Sequence, residues 1–260
     1  MAGKKGHVIA HTLSHRGLVR GNNEDYLSIT ELSPVGGKPA FLAVLADGVG
    51  GHNAGEVASR IAVDTIMEQV RKKHPADDIH HLLEDSILAA NQAILEDVSN
   101  HPDRGGMGTT CVCVLIIGNT LYTAHLGDSR LYLQRRDNLQ RLTRDHTLQE
   151  EMITILEHDG NNQSRSQPLA HVLTRYLGSP HTVDVDHHML DGEKRVETFK
   201  INKSDILLLC SDGITDMVSD DEIHRILSTC NGRKRPQSLV YHALKQGGHD
   251  NATAVVLQFL

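Results

Sequence analysis

Apolar residues recur along this chain in two rhythms. Between Ala54 and His74, Val57, Ala58, Ile61, Ala62, Thr65 and Ile66 fall on one helical stripe. Between Asp77 and Val98, Ile79, Leu83, Ile87, Ala90, Ile94 and Val98 do the same. The opposite sides are polar, so the pattern predicts two amphipathic helices that cover a layer rather than sit inside one. Elsewhere the apolar runs are short and β-branched: "AFLAVLA", "TTCVCVLII", "DILLLCSD" and "NATAVVLQFL". Such runs predict strands. "TTCVCVLII" meets Gly118-Asn119 and passes into "LYTAHLGDSRLYLQ", which reads as one hairpin strand with Asp128 in its middle. Strands and helices come in blocks without strict alternation. That favours an antiparallel α+β arrangement with helices outside packed sheets. Residues 145–180 begin as a helix and pass into a polar loop at Gly160–Pro168, read as a mobile flap of the same domain. No linker or repeat interrupts residues 1–260, so a single domain is expected.

Composition narrows the function classes. The chain has 260 residues, 39% hydrophobic, with 26 basic and 33 acidic side chains and a net charge of -7. An acidic balance argues against a nucleic-acid partner, and the run Arg233-Lys234-Arg235-Pro236 reads as a solvated loop. No apolar run approaches the roughly 18 residues that cross a membrane. Lys4 and Lys5 are not followed by an apolar segment, so no secretory signal is expected. Cys111, Cys113, Cys210 and Cys230 lack the spacing of a zinc site. Cys111 and Cys113 share one strand face and read as reduced core residues of a cytosolic protein. His80-His81 and His187-His188 read as surface pairs.

The stretch "LAVLADGVGGHNAGE" ends an apolar run on Asp47 and then loosens the backbone with glycines. Taken alone it reads as a turn, with a hard-metal site as the other reading. The same grammar returns. Asp212-Gly213 ends a strand, Asp250-Asn251 precedes one, Glu24-Asp25 starts one, and Asp128 sits within one. Strand ends that converge would bring these carboxylates into one cleft, where mutual repulsion and burial raise their pKa values. A divalent cation relieves this by keeping the carboxylates ionised. An all-oxygen donor set favours Mg²⁺ or Mn²⁺. Two nucleotide readings of the glycine-rich stretch fail: a dinucleotide loop needs glycine where Asn53 stands, and Lys38 is followed by Pro39 rather than Ser or Thr.

In order along the chain, "RGNNEDY", "ADGVGGHNAGEVAS", "GTT", "GDSRLYL", "LTRDHT", "LTRYLG", "SDGITD" and "DNATAVV" resemble the motif series of the PP2C family, in its compact bacterial form. These are metal-dependent protein serine/threonine phosphatases, and the resemblance runs from about Arg16 to Leu260. It implies a four-layer αββα sandwich: two central antiparallel sheets flanked by helix pairs, with the metal centre at one edge. Asp47 matches the aspartate that bridges two ions, and Gly48 the residue whose carbonyl binds one of them. Asp212 and Asp250 match ligands of the first ion. Asp128, with Asp212, matches the site of a third, looser ion. Glu24 and Asp25 match acidic residues that hold metal-bound waters, and Asn251 joins them in supporting the ligands from outside. Arg20 matches the arginine that grips the substrate phosphate, with Arg16 a weaker candidate, while Arg130 reads as a support of the fold.

The implied reaction is attack of a metal-bridging hydroxide on phosphoserine or phosphothreonine. The implied partners are phosphorylated proteins and a serine/threonine kinase whose action is reversed, for a cytoplasmic monomer without nucleic-acid or membrane partners. Some relatives carry a proton-donating histidine after the first Asp-Gly. Here Val49 stands there, and His52 is the nearest replacement, against a helix-start histidine or a metal-bound water. Two other functions compete: a phosphatase fold that binds a phosphorylated partner with little or no turnover, and a structural Ca²⁺ site in a non-enzymatic domain.

Overall fold

The computed structural model describes residues 8–50, 54–72, 78–158, 169, 171–192 and 194–259. The first half holds β1 (Val8–His15), β2 (Asp25–Val35), β3 (Lys38–Val49), α1 (Gly55–Lys72), α2 (Ile79–Asn100), β4 (Gly108–Thr109), β5 (Cys111–Ile117) and β6 (Thr120–Leu126). There follow β7 (Arg130–Arg135), β8 (Asn138–Arg141), α3 (Leu148–His158), β9 (Met189–Asp191), β10 (Lys194–Val196) and β11 (Phe199–Lys200). The chain closes with β12 (Ile206–Cys210), α4 (Asp212–Thr215), α5 (Asp220–Thr229), α6 (Lys234–Lys245) and β13 (Ala252–Phe259).

Two antiparallel sheets form the centre. One runs β1-β13-β12-β7-β8 and the other β11-β6-β5-β3-β2, with β4 added to the end of β3. Alternation of side chains along each strand builds the layers. In β3, Ala40, Leu42, Val44 and Ala46 face the helices, while Phe41, Ala43 and Leu45 face the other sheet. In β12, Leu207 and Leu209 point between the sheets, and Ile206, Leu208 and Cys210 point to the second helix layer. Both faces are therefore covered, which is why these strands read as unbroken apolar runs. The helices α1 and α2 cover one sheet, and α5 and α6 the other. This is the four-layer αββα sandwich expected above.

The α2 stripe is buried where the periodicity placed it, at Leu83, Ile87, Ala90 and Ile94. In α1 the buried arc is wider than predicted. Ala58, Ala62 and Ile66 are joined by Ser59, Val63, Met67 and Val70, while Val57 and Ile61 stay partly exposed. The reason is that α1 packs against both the sheet and α2.

Three expectations need correction. "LYTAHLGDSRLYLQ" is not one strand: β6 ends at Leu126 in one sheet, and β7 begins at Arg130 in the other. Asp128 lies in the crossover, where Gly127 has φ 92° and a Cβ would sit 2.6 Å from the Thr110 side chain. Alternation of period two reads the same in either sheet, so the break leaves no trace in the pattern. The basic run at 233–236 is not a solvated loop. It opens α6, with Pro236 in the first turn, where a missing N–H costs nothing, and Arg235 is buried. The histidine pairs are only partly at the surface: His81 is exposed, but His80 and His187 are half-buried and meet edge to face at 6.0 Å.

Cys111, Cys113 and Cys210 are free and buried, and burial pushes the thiols of Cys111 and Cys210 up to about 12. Of the expected flap, α3 is described, while the loop at Gly160–Pro168 lies outside the described residues. Among the described residues, no helix is long and apolar enough to cross a membrane.

Candidate metal centre

Five strand ends meet at one edge of the sandwich. β2 and β3 are paired so that Asp25 lies directly across from Asp47. Asp212 follows the end of β12, Asp250 precedes β13, and Asp128 stands in the β6–β7 crossover. Each carboxylate is held by rigid backbone. The Asp47 N–H donates to Thr110 Oγ1 at 3.0 Å, and its carbonyl accepts from the Thr109 hydroxyl at 2.8 Å and the Thr110 N–H at 2.9 Å. The Thr110 hydroxyl also meets Ser129 Oγ at 2.7 Å, which ties the "GTT" and "GDS" segments together beside Asp128. Ser211 Oγ donates to Asp25 Oδ2 at 2.8 Å and accepts from the Thr253 N–H at 3.0 Å.

Asn251 fastens the segment that carries Arg20 and Glu24. Its Oδ1 accepts from the Glu24 N–H at 2.8 Å, and its Nδ2 donates to the carbonyls of Arg16 and Asn22, each at 2.9 Å. Close backbone packing explains the glycine after Asp47. A Cβ on Gly48 would lie 2.3 Å from the carbonyl oxygen of Gly55 and 2.8 Å from that of Glu24.

The carboxylates crowd one another. Burial, then the charges of Asp25, Asp212 and Asp128, hold Asp47 well above the usual carboxylate range. Asp212 is raised in the same way, by burial and then by Asp128, Asp216 and Asp250. Burial foremost pushes Asp25 up to about 6, and likewise Asp128 to about 6. Glu24 is raised too, by burial and then by Glu56. Asp25 Oδ1 and Asp212 Oδ1 are buried without a hydrogen-bond partner. Buried, unpaired carboxylate oxygens facing one another are what a hard divalent cation neutralises. The donor set fits such ions and contains no cysteine.

The cleft beside them encloses about 640 Å³ and is lined by Arg20, Asp47, Gly48, Val49, Asp212 and Asp250. Arg20 stands on its rim, its side chain 54% exposed, with Nη2 2.6 Å from Asp250 Oδ2. The ion-pair partner of Arg20 is thus Asp250 rather than the nearby Glu24. Asp128 does not line the cleft, yet its charge is the largest carboxylate contribution at Asp212. Arg16 turns to the Gly21 carbonyl at 3.4 Å, and Arg130 forks onto Asp145 at 2.7–3.1 Å. His52 lies outside the described residues.

Three cleft residues escaped the sequence reading. Asp216 and His171 offer ligand atoms that lie with one from Asp212 within 4.8 Å of one another. His249 lines the cleft beside Asp250. Asp216 carried a signal, since it lies four residues after Asp212 and therefore on the same helical face. His171 carried none, because only the fold brings its segment to the cleft.

The Protein phosphatase 2C family profile matches residues 23–252. A serine/threonine protein phosphatase PstP of Mycobacterium tuberculosis is 37% identical over 246 residues, covering 94% of this chain and 43% of that protein. The chain thus spans less than half of that relative. A serine/threonine phosphatase stp of Listeria innocua is 32% identical, with 94% of this chain and 92% of that protein covered. Among solved structures, the M. tuberculosis serine/threonine phosphatase PstP/Ppp superposes with a TM-score of 0.81 at 34% identity, covering 97% of this chain and 98% of that one. The PstP catalytic domain in complex with two manganese ions superposes with a TM-score of 0.78 at 33% identity, over 97% and 98% of the two chains. A profile match across most of the length, over a four-layer sandwich with its carboxylates at one edge, places this chain in the protein phosphatase 2C family.

Proposed function

We propose that this chain is a metal-dependent protein serine/threonine phosphatase acting on phosphoserine and phosphothreonine. The observation that carries the reading is the convergence of Asp47, Asp212 and Asp250 on one cleft with Arg20 at its rim. Mn²⁺ or Mg²⁺ would be held by Asp47, the Gly48 carbonyl, Asp212 and Asp250. A third ion would take Asp128 and Asp212, with Asp216 and His171 beside them. Bound divalent ions supply a water activated near neutral pH and positive charge against the phosphoryl oxygens.

The chain's own residues do the rest. Arg20 exchanges Asp250 for the substrate phosphate, whose oxygens its planar fork can meet twice. Asn251 keeps Arg20 and Glu24 in place by fastening their segment. Glu24 and Asp25 stand where they would accept hydrogen bonds from water around bound ions. Val49 has no proton to give to the leaving serine or threonine oxygen, and His52, the nearest candidate along the chain, lies outside the described residues. The substrates are phosphoproteins, the counterpart is a serine/threonine kinase of the same cell, and the chain works as a cytoplasmic monomer.

Asp212→Asn and Asp250→Asn are expected to abolish Mn²⁺-dependent release of phosphate from a phosphothreonine peptide while circular dichroism stays unchanged. Activity retained in both variants would overturn the assignment.

A further inference from the structure

At the far end of the second sheet, away from the metal centre, lies a second cavity of about 580 Å³. It is bounded by the β7–β8 turn, the loop before β12, the end of α5 and the start of α6. Six steps along the chain lead from Asp128 to Gln134 at this end, a span of up to about 20 Å at the strand rise of roughly 3.3 Å per residue.

Its charge is unbalanced. Arg235 is only 6% exposed. Its Nε donates to the Leu227 carbonyl at 2.9 Å and its Nη1 to Gln258 Oε1 at 2.8 Å, both neutral acceptors. No carboxylate pairs with it among the described residues. A buried guanidinium without a counter-charge is costly. Burial lowers its pKa from the ordinary value.

Arg136 and Lys203 stand on the same cavity wall without an ion pair among the described residues. Arg135 is spent on Asp205 at 2.7 Å, which leaves Asp137 as the one wall carboxylate not so engaged. The cavity is therefore net positive on a chain whose net charge is -7. A second observation is independent of charge. Gln134, buried on this wall, donates through Nε2 to the Arg136 carbonyl at 2.7 Å and to Ser228 Oγ at 3.2 Å, while its Oε1 has no partner. The cavity thus asks for an anion and for a hydrogen-bond donor beside it.

We propose that this cavity binds a small organic phosphate. The phosphoryl group sits among Arg235, Arg136 and Lys203, and a hydroxyl of the same molecule donates to Gln134 Oε1. The site is separate from the metal cleft and does not depend on the catalytic reading.

The test is a titration of the full, ¹⁵N-labelled, Mg²⁺-loaded chain with ribose 5-phosphate, read amide by amide. Saturable shifts at Arg136, Lys203, Ser204 and Ser228 are expected, with ribose 5-phosphate about threefold or more tighter there than inorganic phosphate, the worth of one hydrogen bond. Arg136→Ala/Lys203→Ala changes only exposed side chains. It is expected to weaken this binding about tenfold or more while aryl-phosphate turnover is unchanged. Shifts confined to the metal cleft would overturn the proposal, as would an undiminished affinity in the double variant. Equal affinity for inorganic phosphate would reduce the cavity to a bare anion site and overturn the organic ligand. Tighter binding of a non-hydrolysable phosphothreonine-mimic peptide at these amides would overturn it in favour of a protein-docking site.

Discussion

At the scale of single residues, the centre depends on groups that carry no charge as much as on its carboxylates. Asn251 makes three side-chain hydrogen bonds to the segment bearing Arg20 and Glu24. Asn251→Ala should cost about 1–3 kcal/mol, the range for leaving such groups unpaired. It should also raise the Mn²⁺ concentration needed for half-maximal turnover; thermal melting and a metal titration check the two halves separately. Arg20 is a different case, half-exposed and paired with a carboxylate assigned to the metal. Arg20→Ala is expected to raise KM about tenfold or more, the loss of a charge-assisted bond, with Arg20→Lys recovering only part. Steady-state kinetics on a phosphothreonine peptide decide it, and an unchanged KM would remove Arg20 from substrate binding. The aspartates were legible in the sequence because each borders an apolar run. His171 and His249 were not, since a lone histidine in a polar segment announces no direction.

At the scale of elements, the β6–β7 crossover decides where Asp128 stands. Gly127 permits it through a positive φ and through the 2.6 Å space beside Thr110. Gly127→Ala should strain the backbone by roughly 1–3 kcal/mol and loosen the Asp128 site ahead of the Asp47 site. A melt and a manganese isotherm with a weakened low-affinity phase are the expected readouts. The helix layers respond differently. Ile87 is fully buried on α2, so Ile87→Ala should cost about 2–5 kcal/mol in chemical unfolding while leaving KM unchanged, because Ile87 itself does not line the cleft. The positions of α1 and α2 were readable from apolar spacing. The crossover was not, because a strand that changes sheets keeps the same alternation. The role of the basic run was hidden too, since composition cannot tell a guanidinium in water from one tucked under a helix.

At the scale of the whole molecule, the carboxylates act as a clasp between the two sheets, with Asp47 and Asp25 on one and Asp212 and Asp250 on the other. Without metal, the burial that pushes Asp25 and Asp128 up to about 6 makes folding favour their protonated forms. The unfolded carboxylates titrate near 3.9. A raised folded pKa gives stability that is fully present below the unfolded value and is lost as pH rises through the folded one. The metal-free protein should therefore melt progressively lower from about pH 4 to beyond pH 6. Manganese should raise the melting temperature more at pH 7.5 than at pH 5. Calorimetry with and without chelator tests this, and a metal effect equal at both pH values would count against the cluster. Sequence alone determined the antiparallel α+β class and marked the strand-end carboxylates as a group, because burial periodicity and strand-end acids are local properties of the chain, while the four layers and the ligand roles followed from the family resemblance. Only the tertiary structure decided which sheet each strand joins, that Arg20 rests on Asp250, and that Arg235 is enclosed without a counter-charge. Each depends on segments far apart in the chain meeting at short range, where the strength of a charge is set by what surrounds it.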